Sequence, residues 1–154
     1  MLLTASKPNR HGLLFCLMAV AWMGLIFYFS TLPGPDGYSG GSKLLETSIV
    51  TWLGELSSVI IHAVLFGVLA GFVQAAIWGW KADFRLRWSL VAVTVASMYG
   101  ISDEFHQSFV AGRAATVTDV LVDCLGASVA VTFIWFAATG VFRRQDKAKS
   151  GPGS

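Results

Sequence analysis

The sequence predicts an all-α integral membrane protein: a bundle of four transmembrane helices with a short interfacial helix in the first outer loop. Three observations predict it. Hydrophobic residues make up 55% of the 154 and charged residues only 13%, whereas a soluble domain carries about 25% charged residues. Four apolar runs, at about residues 13–32, 58–80, 88–108 and 117–142, each reach the roughly 20 residues that a helix needs to cross the hydrocarbon core. Nine of the 11 Lys and Arg residues fall on one side of those runs, the asymmetry that marks cytoplasmic segments. Helices are required because a bilayer offers no partner for backbone amides, which must be satisfied within their own segment.

The first run follows Lys7 and Arg10. Its apolar core, Leu13 to Phe29, is longer than that of a cleavable secretory signal and no A-x-A site follows, so it reads as a retained anchor. Leu-Pro-Gly-Pro-Asp-Gly at 32–37, then Gly40 and Gly41, form a stretch in which no helix continues. From Leu45 the apolar residues Ile49, Trp52, Leu53 and Leu56 recur on one helical face. This is the expected interfacial helix, with a lid over the bundle as its alternative. The second and third runs flank a basic loop of Lys81, Arg85 and Arg87, bracketed by Trp78, Trp80 and Trp88, while Tyr28 and Tyr38 flank the outer end of the first. Lys43 and Arg113 alone lie on the opposite side. Both termini are therefore expected in the cytoplasm and the first and third loops outside, in a cell (inner, cytoplasmic) membrane. Residues 1–142 read as one transmembrane domain and 143–154, basic and then Ser/Gly/Pro-rich, as a disordered cytoplasmic tail.

Several function classes are excluded. A net charge of +2 with no basic, aromatic-rich stretch argues against a nucleic-acid partner. The stretch Gly37-Tyr38-Ser39-Gly40-Gly41 spells G-x-S-x-G but lies in a Pro- and Gly-rich connection without the strand that a nucleophile turn follows, and there is no Gly-rich phosphate loop. Cys16 and Cys124 lack metal or disulfide spacing and read as small buried hydrophobes. Gly126 and Ala130 form a small-xxx-small pair suited to close helix packing.

Ionisable groups inside a membrane are costly, so each is a site candidate. The third run ends Ser102-Asp103-Glu104-Phe105-His106-Gln107, the turn carries Gly112 and Arg113, and the fourth begins Thr116-Val117-Thr118-Asp119, with Asp123 a turn later. At helical spacing Tyr99, Asp103, His106 and Gln107 share a face, as do Asp119 and Asp123. The short connection at 109–116 brings the two faces to one depth. His62, early in the second run, and Ser30 and Thr31, closing the first, belong at the same level. Asp103 or Glu104 paired with Arg113 has a structural clamp as its plain reading, and His62 a packing role. Four carboxylates beside one arginine cannot all stay charged in a dry site. Water, protons, a divalent cation or a cationic or hydroxyl-rich head group must compensate. Asp103 and His106 have a spacing that a divalent metal can use.

The run Asp-Glu-Phe-His-Gln (103–107), the turn Phe-Val-Ala-Gly-Arg (109–113) and Asp-Val-Leu-Val-Asp (119–123) with Leu-Gly-Ala after it resemble the signature of the VanZ-like membrane family. His62 and the Phe-Ser-Thr-Leu-Pro end of the first run are similar too, so the resemblance spans roughly residues 20–135. It falls on Asp103, Glu104, Gln107, Gly112, Arg113, Asp119 and Asp123. Ala111 replaces the usual Pro, and Asp123 stands where Asn is common. The resemblance implies a cell-envelope role connected with resistance to glycopeptide antibiotics such as teicoplanin, and a lipid or lipid-linked glycan as partner.

The leading expectation is an outward-facing site that binds, and in one form modifies, an envelope lipid or lipid-linked precursor. Arg113 would hold phosphate, Asp103 or Glu104 would act as base, and His106 as acid or ligand partner. Asp119 and Asp123 complete the cluster, and His62, Gln107, Tyr99 and Ser30 are its binding residues. The alternatives are a proton-coupled transporter or flippase component, which would need a homo-oligomer to enclose a path, and a small membrane scaffold working through Gly126 and Ala130.

Overall fold

The computed structural model describes residues 10–33, 48–81 and 85–149. It is a bundle of four helices: α1 (Arg10–Thr31), α2 (Ser48–Lys81), α3 (Leu86–Gln107) and α4 (Val117–Lys149). Helix α2 is central, packing against the other three, while α4 lies on α2 and α3, and α1 lies on α2 with a smaller contact to α3.

Three helices are long and apolar enough to cross a membrane: Arg10–Thr31, Leu56–Lys81 and Val117–Gly140. Helix α3 is as long as α1, 22 residues, but the polar sequence from Ser102 to Gln107 lowers its hydropathy. The all-α bundle of four helices is thus as expected, with three of the four expected spans meeting the criterion.

Two boundaries differ from expectation. The helix expected near Leu45 is helical from Ser48 on and runs without a break into α2, whose 34 residues extend about 51 Å at 1.5 Å per residue. With no Gly or Pro pair between Ser48 and His62, nothing interrupts its hydrogen-bond ladder. Tyr38, Lys43 and Leu45 lie outside the described residues. Helix α4 likewise continues through Lys149, so 143–149 of the segment expected to be disordered is helical. Residues 150–154 lie outside the described residues.

The side-chain distribution is the reverse of a soluble protein's. Large apolar residues face outward, with Phe133 74% and Met98 66% exposed. The interior is built largely from Ala19, Ala70, Ala92, Ala96 and Ala127 around Phe66 and Leu69. Lipid is as apolar as leucine, so burying leucine against a neighbouring helix yields little, and close backbone approach together with hydrogen bonds holds the helices instead. At the α2–α4 crossing a side chain on Gly126 would collide with the Ala63 backbone, and one on Gly67 would lie 3.3 Å from the Ala130 Cβ. The Gly126 and Ala130 pair is therefore used inside the chain. Elsewhere the Trp22 indole donates to the Leu65 carbonyl (2.9 Å) and the Tyr99 hydroxyl to the Met23 carbonyl (2.7 Å). Cys16 and Cys124 are free thiols and only partly buried.

The end of the bundle at the α2–α3 connection carries its aromatic residues beside cations. Lys81 Nζ lies 5.3 Å and Arg87 Cζ 4.8 Å from the centre of the Trp88 ring, a cation–π arrangement.

A Cβ on Gly126 would touch backbone, while one on Gly140 would meet nothing within 4 Å, so the two positions should respond differently to the same change. Gly126→Val should destabilise the bundle by about 1–3 kcal/mol, the usual range for overpacking, and Gly140→Val by much less. Thermal unfolding of the detergent-solubilised proteins measures both; equal effects would mean that the α2–α4 contact does not hold the bundle.

Candidate functional site

The buried ionisable groups gather at one end of the bundle, where α1 and α3 end and α4 begins, while the buried Gln74 and Ser89 lie further along α2 and α3. Helices α3 and α4 are antiparallel neighbours, and their connection is a series of tight turns. Ser108 N–H donates to the Glu104 carbonyl (3.1 Å), Phe109 N–H to that of His106 (3.1 Å), Val110 N–H to that of Gln107 (2.9 Å) and Arg113 N–H to that of Val110 (3.1 Å). Gly112 closes the turn at φ 71°, a left-handed conformation that glycine adopts without strain, so the turn forms with Ala111 in place of Pro.

Asp123, 0% exposed, is the most buried of the carboxylates. His62 Nδ1–H donates to its Oδ1 at 3.1 Å, a contact that becomes an ion pair when the imidazole is protonated. Gly100 on α3 leaves room for the other oxygen, since a Cβ there would lie 2.8 Å from Asp123 Oδ2. One turn further along α3, Glu104 is also buried, and its Oε2 accepts the Thr116 N–H at 2.9 Å. His62, Glu104 and Asp123 thus come from three helices. Each offers a donor atom within 4.8 Å of the others', a set able to hold a metal ion.

The remaining expected residues divide into distinct roles. Asp103 is buried beside this group, with Oδ2 accepting the Gln107 amide (2.9 Å). Asp119 forms a reciprocal cap at the start of α4: its N–H donates to Thr116 Oγ1 (3.1 Å) and the Thr116 hydroxyl donates to its Oδ2 (2.8 Å). Such a cap satisfies amides that the first helical turn leaves unpaired. Asp119 nevertheless lies within electrostatic range of His62, Glu104 and Asp123. Ser30 is buried at the end of α1, whereas Thr31 is exposed and bonds back to the Tyr28 carbonyl (2.6 Å).

Three expectations are corrected. Arg113 pairs with neither Asp103 nor Glu104. Its Nε donates to the Leu32 carbonyl and its Nη2 to that of Phe29, both at 3.2 Å, because the last carbonyls of a helix lack intrahelical partners and a guanidinium is a fork of donors. Asp103 and His106 do not form the metal-type pair. The His106 ring lies against Phe27 of α1, with centroids 4.5 Å apart, and the donor set uses Glu104 in place of Asp103. Tyr99 does not share the cluster's contacts, since its hydroxyl is held by the α1 backbone.

The cluster leaves several polar atoms without a partner. Asp103 Oδ1, Glu104 Oε1, Asp123 Oδ2, Ser30 Oγ and His106 Nε2 are buried without a hydrogen-bond partner among the described residues. A separate groove of about 640 Å³ between α2 and α4, lined by Gly67, Gly71, Gly126, Ala130 and Phe133 among other apolar residues, includes none of these groups.

A double-mutant cycle tests the central contact. His62→Ala and Asp123→Ala should couple by about 1 kcal/mol in unfolding free energy, as expected for a buried interhelical hydrogen bond, and His62→Ala with Thr116→Ala should be additive. Additivity in the first cycle would mean that the pair does not hold α2 to α4.

A family model described as VanZ/LLP1 matches residues 15–138. No curated protein and no solved structure matches the chain.

Proposed function

The chain belongs to the VanZ/LLP1 family, and from that premise we propose that it binds the polar head of a cell-envelope lipid or lipid-linked precursor at the outer leaflet. The observation that carries this reading is the excess of buried acceptors over donors. Asp103, Glu104 and Asp123 each present an unpartnered carboxylate oxygen at one end of the bundle. Buried acceptors need donors, and a hydroxyl-rich or amine-bearing head group supplies them. Arg113 has N–H groups beyond the two directed at α1, and these are available to a lipid phosphate at the rim. An effect on teicoplanin sensitivity would follow from a changed envelope lipid or precursor.

In this reading α3 is the fourth span and both termini are cytoplasmic. The support is the Lys and Arg asymmetry and the antiparallel packing of α3 between α2 and α4. With single cysteines introduced into a Cys16→Ser, Cys124→Ser background, Ala114→Cys should react with a membrane-impermeant maleimide in intact cells and Arg87→Cys only after permeabilisation. The reverse pattern would invert the protein and put the cluster in the other leaflet.

The packing beneath the cluster favours a one-sided site over a proton-coupled transporter. Phe66, Leu69, Ala92, Ala96, Ala127 and Val131 are buried together, an apolar layer that lies along α2 and α3 between the cluster and the buried Gln74 and Ser89. A scaffold acting through Gly126 and Ala130 has less support, because that pair packs on α2.

Native mass spectrometry of protein extracted from its own membrane tests the proposal. Wild type should retain a discrete lipid or lipid-linked glycan that Asp123→Asn and Glu104→Gln lose, with a parallel change in the strain's envelope lipid profile. Retention of the same species by both folded variants, or of bulk phospholipid alone by wild type, would overturn it.

A further inference from the structure

We propose that His62, Glu104 and Asp123 form a binding site for one divalent transition-metal ion, of the zinc or manganese kind, at the junction of α2, α3 and α4. The site shares Glu104 Oε1 and Asp123 Oδ2 with the lipid reading; an ion there would meet a head group through its open coordination position, and ion binding is measurable with no lipid present.

Four observations support it. The donor atoms, one from each residue, already lie within 4.8 Å of one another, and ligand-to-metal distances of about 2.0–2.2 Å draw them together by small side-chain rotations. Glu104 Oε1 and Asp123 Oδ2 are buried and unpartnered, on residues 4% and 0% exposed, so each carboxylate has a free oxygen. The second oxygen of Glu104 is anchored, Oε2 accepting the Thr116 N–H, and outer hydrogen bonds of this type orient metal-binding carboxylates; the His62 Nδ1–Asp123 Oδ1 hydrogen bond already points the imidazole at the carboxylate, and an ion replaces it, with the ring proton on Nε2. Gly100 keeps the space beside Asp123 Oδ2 open.

Charge argues the same way. Two carboxylates held in a low-dielectric interior repel each other and lose hydration, and Arg113, which donates to α1 carbonyls, does not compensate them. One divalent ion bound by two carboxylates and a neutral imidazole leaves no net charge. The nitrogen ligand disfavours magnesium and calcium, which take oxygen donors, and suits zinc, while the two carboxylates also admit manganese. Three protein ligands leave a coordination position for water or a substrate oxygen.

The test uses the full-length, untagged protein in detergent, stripped with chelator and freed of lipid, so that its outcome does not depend on a bound head group. Titration with Zn²⁺ or Mn²⁺ followed by elemental analysis should load about one ion per chain. Co²⁺ should give the d–d absorption of a low-coordinate site, and pulsed electron resonance of the Mn²⁺ form should show coupling to an imidazole nitrogen that His62→Ala removes. Glu104→Gln and Asp123→Asn should each weaken binding by at least about tenfold, and Ser102→Ala should not. The proposal is overturned if wild type takes up no stoichiometric ion, or if the folded triad variants bind as tightly as wild type. Should a variant not fold, the wild-type stoichiometry and nitrogen coupling decide alone.

Discussion

The architecture rests on the contact between the backbones of α2 and α4 at Ala63 and Gly126. It is the place where a Cβ on either facing glycine would meet the opposite helix. Lipid provides little incentive for apolar side chains to leave it, so helix association relies on surfaces that fit at short range and on hydrogen bonds unavailable in the acyl region. Bringing α2 and α4 this close sets His62, next to Ala63, within 3.1 Å of Asp123, one turn before Gly126. The same small-residue crossing that gives the bundle its packing therefore also assembles its most buried polar pair.

At that end of the bundle, the termini of α1 and α4 are satisfied by side chains, while α3 is closed by backbone turns. Arg113 supplies donors to the last carbonyls of α1, Glu104 accepts from the Thr116 N–H before α4, and Thr116 and Asp119 close the first turn of α4 on each other. Unpaired backbone groups are costly in hydrocarbon, which explains why Arg113 turns to carbonyls here and not to the neighbouring carboxylates. Charged side chains in this region thus divide between holding the frame and facing the interior. Arg113 and Asp119 hold the frame. Glu104 does both, with one oxygen anchored and the other free. Asp103 and Asp123 also keep one buried oxygen without a partner.

This division shapes the chemistry available. A cluster with free oxygens and few free N–H groups attracts cations and hydroxyl or ammonium donors more than anions. Below it the small alanines, Phe66 and Leu69 close the bundle, and the wide groove between α2 and α4 is apolar. The buried polar cluster and the apolar groove thus occupy different parts of the bundle.

Much of the fold was legible in the amino-acid order because the solvent makes the rule simple: helices of spanning length, with basic residues at one side, read directly from the apolar runs. The polar end was legible for a related reason, since the short 109–116 connection obliges α3 and α4 to meet there. Continuity was harder. The helical face from Leu45 did not say whether a break separates it from the second run, and the structure joins them from Ser48. What only the tertiary structure decided was the partner of each charged group. Adjacent residues on a helix point about 100° apart, so whether Asp103 or Glu104 meets His62 and Asp123 depends on how α3 is rotated against α2 and α4. In the observed rotation Gly100 makes the room that Asp123 needs. Arg113 looked like a phosphate or carboxylate ligand because its charge is visible in sequence, whereas the unpaired carbonyls of α1 that claim it belong to the backbone and leave no mark there.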